Sequence, residues 1–114
     1  MTYDELIAAL EKATGPDREL DHEIAQFIYP GEKLQWPEMY KASSEFWCRR
    51  NVEKYTSSID AALTLVPEYS YAEIHTDNCA FVRINGEEEY ECWNVASPAI
   101  ALCIAALKAR GARR

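Results

Sequence analysis

Glycine is scarce in this chain. Its 4 glycines are scattered, so they cannot build the glycine-rich loop that cradles a phosphate. No C-x-x-C pair occurs among the 4 cysteines, Cys48, Cys79, Cys92 and Cys103, and zinc sites usually show such pairs. No metal and no cofactor is therefore expected. Long apolar runs are also missing. The longest, Pro98 to Leu107, is too short to span a bilayer. The N-terminus is acidic and amphipathic, unlike the basic patch and apolar run of a signal peptide. A cytoplasmic chain with no membrane partner is expected, with its cysteines as thiols.

Basic residues are few outside the tail. The net charge is −7, and Lys108, Arg110, Arg113 and Arg114 all lie at the C-terminal end. Residues 1–107 then hold 8 basic residues against 19 acids, a balance of −11. General nucleic-acid binding needs a basic stripe and is not expected. A solvated surface, a basic protein partner or nucleic-acid mimicry fits the charge. With 114 residues, 48% hydrophobic and 27% charged, the chain reads as one globular domain over 1–114.

Three parts make up that domain. Residues 1–30 predict a helical hairpin. Thr2 and Glu5 form a capping box, Leu6, Ile7 and Leu10 share a face, and Gly15-Pro16 ends the first helix. Asp17 caps a second, with Glu19 and Asp21 suiting its positive end. Leu20, Ile24, Phe27 and Ile28 form its core stripe, and Tyr29-Pro30-Gly31 stops it. Residues 31–54 are irregular, aromatic and basic, with an extended stretch expected at Glu45–Arg49.

Residues 55–110 predict a helix, a β-meander and a closing helix. Ser57 or Ser58 caps the first, through Ile59, Ala62, Leu63 and Val66. Three strands follow over 70–76, 79–84 and 87–95. Asn85-Gly86 is the strongest hairpin signal in the chain, and Asp77-Asn78 a weaker one. A two-residue turn at Asn85-Gly86 sets Arg83 against Glu88, Phe81 against Tyr90 and Cys79 against Cys92. Ile74 joins the Phe81 face if the Asp77-Asn78 turn is equally tight. Apolar groups then lie on both faces of the sheet. Ser97 caps the last helix, Pro98 takes its first position, Ile100, Cys103, Ile104 and Leu107 make its stripe, and Gly111 ends it.

Three segments are distinctive together: Gly15-Pro16-Asp17-Arg18-Glu19-Leu20-Asp21, then Tyr55 through Pro67, then Ser97 through Arg110. In this order they resemble the small phage and prophage proteins described as the phage ABA sandwich domain. The resemblance implies a small α/β/α sandwich within the α+β class. In it, an antiparallel meander of three strands, or four, is packed by N-terminal helices and a C-terminal helix. It also implies a phage protein working in the host bacterial cytoplasm. It brings no catalytic residues, and the 36–50 region lies outside the matched segments.

Each chemical candidate has a plainer reading beside it. Cys79 and Cys92 pair across the sheet or are two buried thiols. His75, with Cys79 or Asp77, is a nucleophile–base pair only if a third group orients it; otherwise it is a surface histidine. His22 reads as solvated. Glu87, Glu88, Glu89 and Glu91 read as a solvated strand edge that resists aggregation, rather than as an acid–base pair or a cation site. The one patch mixing cations with aromatics is Trp36, Trp47, Arg49, Arg50, Lys54 and Tyr55. Arginine forks bind phosphate or carboxylate, aromatic rings stack on bases, and both recur at interface hot spots. Core packing of the rings with balancing arginines is the plainer account.

These features point away from an enzyme. The expected function is a non-enzymatic phage accessory protein that neutralises a host component in counter-defence. It would do so by sequestering a small anionic or nucleotide ligand or by blocking a host defence protein, and it would act as a homo-oligomer. A structural or morphogenetic phage protein working through subunit contacts is the alternative, and a small enzyme using His75 the second alternative.

Overall fold

A computed structural model describes residues 2–35, 50–68, 70–75, 78–84 and 88–112. The expected strand at Glu45–Arg49 and the Asn85-Gly86 turn lie outside these residues, as does Asp77. The elements are α1 (Tyr3–Lys12), α2 (Arg18–Ile28), β1 (Leu34–Gln35), β2 (Arg50–Asn51), α3 (Ile59–Leu63), β3 (Ser70–His75), β4 (Cys79–Ile84), β5 (Glu88–Cys92) and α4 (Pro98–Ala112). This is a small α+β fold in which the described residues form four helices and a three-stranded antiparallel sheet in the order β3-β4-β5. A short parallel pair, β1 with β2, stands apart from that sheet.

Local chemistry sets the helix starts. The Thr2–Glu5 capping box forms. The Asp17 carboxylate accepts from the backbone N–H groups of Glu19 and Leu20 at 2.9 and 3.2 Å. Ser58 Oγ accepts from Ala61 N–H, and Ser97 Oγ from Ile100 N–H, each at 3.2 Å. Gly31, at φ 81°, allows the chain to turn after α2.

Helix α4 is the axis of the core. Every residue from Ala99 to Leu107, and Ala109, is buried. The one-sided stripe expected from Ile100, Cys103, Ile104 and Leu107 is too narrow a description. The helix is covered all round, as a helix apolar on every side must be. It packs against the sheet on one side and against α1 and α3 on the other. Gly111 does not end it. The helix runs on to Ala112, and the Tyr3 ring lies beside the Gly111 backbone.

Both hairpins differ from the tight-turn expectation. Three residues, 85–87, separate β4 from β5, so Phe81 faces Glu91, Val82 faces Tyr90 and Ala80 faces Cys92. A slip of one residue exchanges the two faces of a strand. Here it sets Tyr90 and Cys92 on the face of Ala80, Val82 and Ile84, which is buried against α4. Between β3 and β4 the connection is also three residues, and its last, Asn78, is left-handed at φ 59°. Ile74 therefore pairs with Ala80 on the buried face and not with Phe81. In α3, Ala62 faces the core, while Ile59 and Leu63 are exposed.

A polar junction holds α2 to the segment before α3. Asp21 is 1% exposed. Its Oδ2 meets Arg18 Nη1 at 2.9 Å, and its Oδ1 accepts Thr56 N–H at 2.8 Å. Arg18 also donates to the carbonyls of Val52 and Glu53, both at 3.0 Å. Thr56 Oγ1 accepts the Asp17 N–H at 2.8 Å. Asp21 is thus an acid in the first turn of α2, as read, and also a buried tie between elements. Removing one partner of a buried, hydrogen-bonded charge leaves the others unsatisfied. Asp21→Ala should therefore destabilise the chain by roughly 3 kcal/mol in urea denaturation. A loss under about 1 kcal/mol, the value of an ordinary hydrogen bond, would show that the junction is not structural.

Candidate functional site

The predicted aromatic and basic patch is only partly within the described residues. Trp36, Trp47 and Arg49 lie outside them. Arg50 opens β2, where its backbone pairs with Leu34. Lys54 is exposed. Tyr55 is 1% exposed and belongs to the core, where burial pushes its phenol up to about 12. Its backbone carbonyl accepts the Cys103 thiol at 3.2 Å. Tyr55 is packing, and its side chain offers nothing to a ligand.

A face that the sequence reading did not single out gathers more chemistry. Residues alternate between faces along a strand. With the inner face on α4, the outer face takes Tyr71, Glu73 and His75 from β3, Cys79, Phe81 and Arg83 from β4, and Glu89 and Glu91 from β5. Trp93, one residue beyond β5, continues the same alternation. All of these are exposed except Phe81, which is partly buried, and Cys79, which is buried. Tyr71 is 59% exposed and Trp93 51%.

The face has internal order. Phe81 lies between Glu73 on one neighbouring strand and Glu91 on the other. The His75 and Trp93 rings approach it edge-on, with centroids at 5.1 and 5.4 Å and interplanar angles of 75° and 89°. The His75 Nε2 is 3.2 Å from Glu73 Oε1, and Arg83 Nη2 is 3.6 Å from Glu89 Oε1. Among the described residues, the Glu91 carboxylate has no ion-pair partner. Sequence alone lacked the signal for this face, because the hairpin register decides which residues share it.

Glu73, His75 and Cys79 stand close together, with Cys79 directly opposite His75. Acid, imidazole and thiol is the order of an activated nucleophile. Here the thiol is 1% exposed, closed to a substrate in this conformation. Cys79 and Cys92 form no disulfide: Cys92 pairs with Ala80, and Cys79 belongs to the opposite face. Among the described residues, no cluster of histidine, cysteine and carboxylate could hold a metal. No described helix is long and apolar enough to cross a membrane.

Beside the sheet, a groove runs between α1, β5 and α4. Tyr3, Ile7, Tyr90 and Leu107 line an apolar part of about 460 Å³. Glu11, Glu91, Trp93 and Asn94 line a polar part of about 380 Å³. Lys108 stands between the two parts and donates to the Glu91 carbonyl at 3.1 Å, tying α4 to β5. At the sheet end of the groove, the Tyr90 hydroxyl donates to Glu88 at 2.7 Å, which raises its pKa.

Comparison with known protein families, with characterised proteins and with solved structures returned no match to this chain. The resemblance to the phage ABA sandwich proteins therefore stands on the three sequence segments that carry it.

Burial pushes the Cys92 thiol up to about 11 and the Cys103 thiol higher still. A group whose pKa is raised on folding adds stability below its unfolded value and loses it as pH climbs through the folded one. For Cys92 that window runs from 9.0 to about 11. The denaturation midpoint should hold steady up to about pH 9 and fall above it. In the same samples, Cys92 and Cys103 should resist iodoacetamide at pH 8 until denaturant is added, as read by peptide mass mapping.

Proposed function

We propose that this chain is a non-enzymatic accessory protein of phage origin that neutralises a host defence protein by docking its outer sheet face on it. The observation that carries this reading is the pair of exposed aromatic side chains, Tyr71 and Trp93, on the same sheet face as the partly buried Phe81. Large exposed aromatics are unusual on a face with no partner, and tyrosine, tryptophan and arginine dominate interface hot spots. A blocking protein needs such a surface and no reactive group.

The charge of the face supports blocking a protein over sequestering a nucleotide. Glu73, Glu89 and Glu91 repel phosphate, and Arg83 is already paired with Glu89. The resemblance to phage proteins supplies the host setting.

The test is phage plating on bacteria that carry individual defence systems, with and without this chain. The chain should restore plating on at least one of them. Tyr71→Ala with Trp93→Ala should remove most of that effect at unchanged melting temperature. A hot-spot aromatic contributes ~2 kcal/mol, or roughly thirtyfold in affinity. Full activity in the double variant would overturn the docking face. A melting temperature raised by a nucleotide would favour sequestration instead.

A further inference from the structure

The outer face is built to meet positive charge. Phe81 sits at its centre, with a carboxylate-bearing residue on each neighbouring strand, Glu73 and Glu91. The His75 and Trp93 rings flank it at 5.1 and 5.4 Å. Aromatic faces attract ammonium and guanidinium groups, most strongly from tryptophan. Nearby carboxylates add Coulombic attraction and hydrogen-bond acceptors. His75 and Arg83, the two other titratable groups of basic character here, each already face a glutamate. The Glu91 carboxylate has no cation among the described residues, although the Lys108 ammonium is held nearby on the Glu91 carbonyl.

We propose that this face takes a lysine- or arginine-bearing segment of the partner protein. One cationic side chain would seat at Phe81, between His75 and Trp93, and be answered by Glu73 and Glu91. The inference rests on the protein-blocking reading above and names the chemistry of its partner. Charge complementarity selects this occupant. A second copy of the chain would bring glutamates against glutamates across an isologous contact. Phosphate-bearing ligands meet the same repulsion.

The probe is a short synthetic peptide of alternating arginine and alanine with blocked termini. Its glutamate counterpart and tetramethylammonium serve as the other arms. Binding is followed by NMR on the folded chain, through the Trp93 indole and the backbone signals of β3, β4 and β5. The arginine peptide should shift Tyr71, Phe81 and Trp93, and should bind more weakly as salt rises from low to high. Glu73→Gln with Glu91→Gln, at exposed positions that should leave the melting temperature unchanged, should weaken it about tenfold, a coupling within the range of close interfacial charge pairs. Trp93→Ala should weaken it as well.

Equal binding of the glutamate peptide, indifference to the two glutamine substitutions, or shifts confined to other surfaces would each overturn the proposal. So would tetramethylammonium binding as tightly as the peptide, since the face would then take a small free cation. If the peptide fails while Tyr71→Ala with Trp93→Ala still abolishes restored plating, the cationic chemistry falls and the docking face stands. If the peptide binds but the chain never restores plating, the blocking function falls and the cation-binding face stands.

Discussion

From Ala99 to Leu107 the last helix has no side that tolerates water. Ile100, Ile104 and Leu107 lie along one side and Leu102 on the opposite one, and each is fully buried. Hydrophobic burial contributes roughly 1.5–3 kcal/mol for each such side chain, so a layer must cover every side. The meander covers one side, and α1 and α3 cover another. Alanines at 99, 101, 105, 106 and 109 let these layers approach closely. Arg110 and Lys108 then fasten the helix at its end. Arg110 donates to the Leu65 carbonyl after α3, and Lys108 to the Glu91 carbonyl of β5. Side chains placed to balance a helix dipole thus also serve as ties between layers.

Covering the central helix brings polar backbone inside, and the Asp21 junction answers that need. Residues 52 to 56 approach the core with Val52, Tyr55 and Thr56 buried. Their backbone groups cannot all reach water, and buried polar groups require partners. Arg18 takes the carbonyls of Val52 and Glu53, Asp21 takes the Thr56 N–H, and Cys103 takes the Tyr55 carbonyl. The Asp17 to Asp21 stretch is therefore both a helix start and a receptor for another segment. Its role explains why an acid and a base in that short stretch contribute more than surface charge.

The same layering leaves the sheet two unlike faces. Ala80, Val82 and Ile84 go to the core, and the alternate positions go outward. The outward set combines rings with exposed carboxylates, two of them beside His75 and Arg83. The acid run on β5 has a dual character in consequence. It discourages pairing at the sheet edge, as a solvated edge should, and it contributes Glu89 and Glu91 to the candidate docking face.

Much of the fold was legible in the residues. The capping box at Thr2, the caps at Asp17 and Ser97, and Pro98 at a helix start are local chemistry and appear as read, and of Ser57 and Ser58 it is Ser58 that caps α3. Three strands with turns between them were equally plain. The hairpin registers were not, because a turn signal such as Asn85-Gly86 marks where a chain reverses but does not set how many residues the reversal takes. One residue of difference set Phe81 against Glu91 instead of Tyr90 and separated Cys79 from Cys92. The candidate site was hidden for the same reason: His75, Phe81 and Trp93 are far apart in sequence and meet only through strand pairing. Local sequence determined where each element starts and which element is most apolar. Only the tertiary structure decided which side of the sheet faces that element, since burial against α4 selects the register and thereby chooses the residues of the outer face.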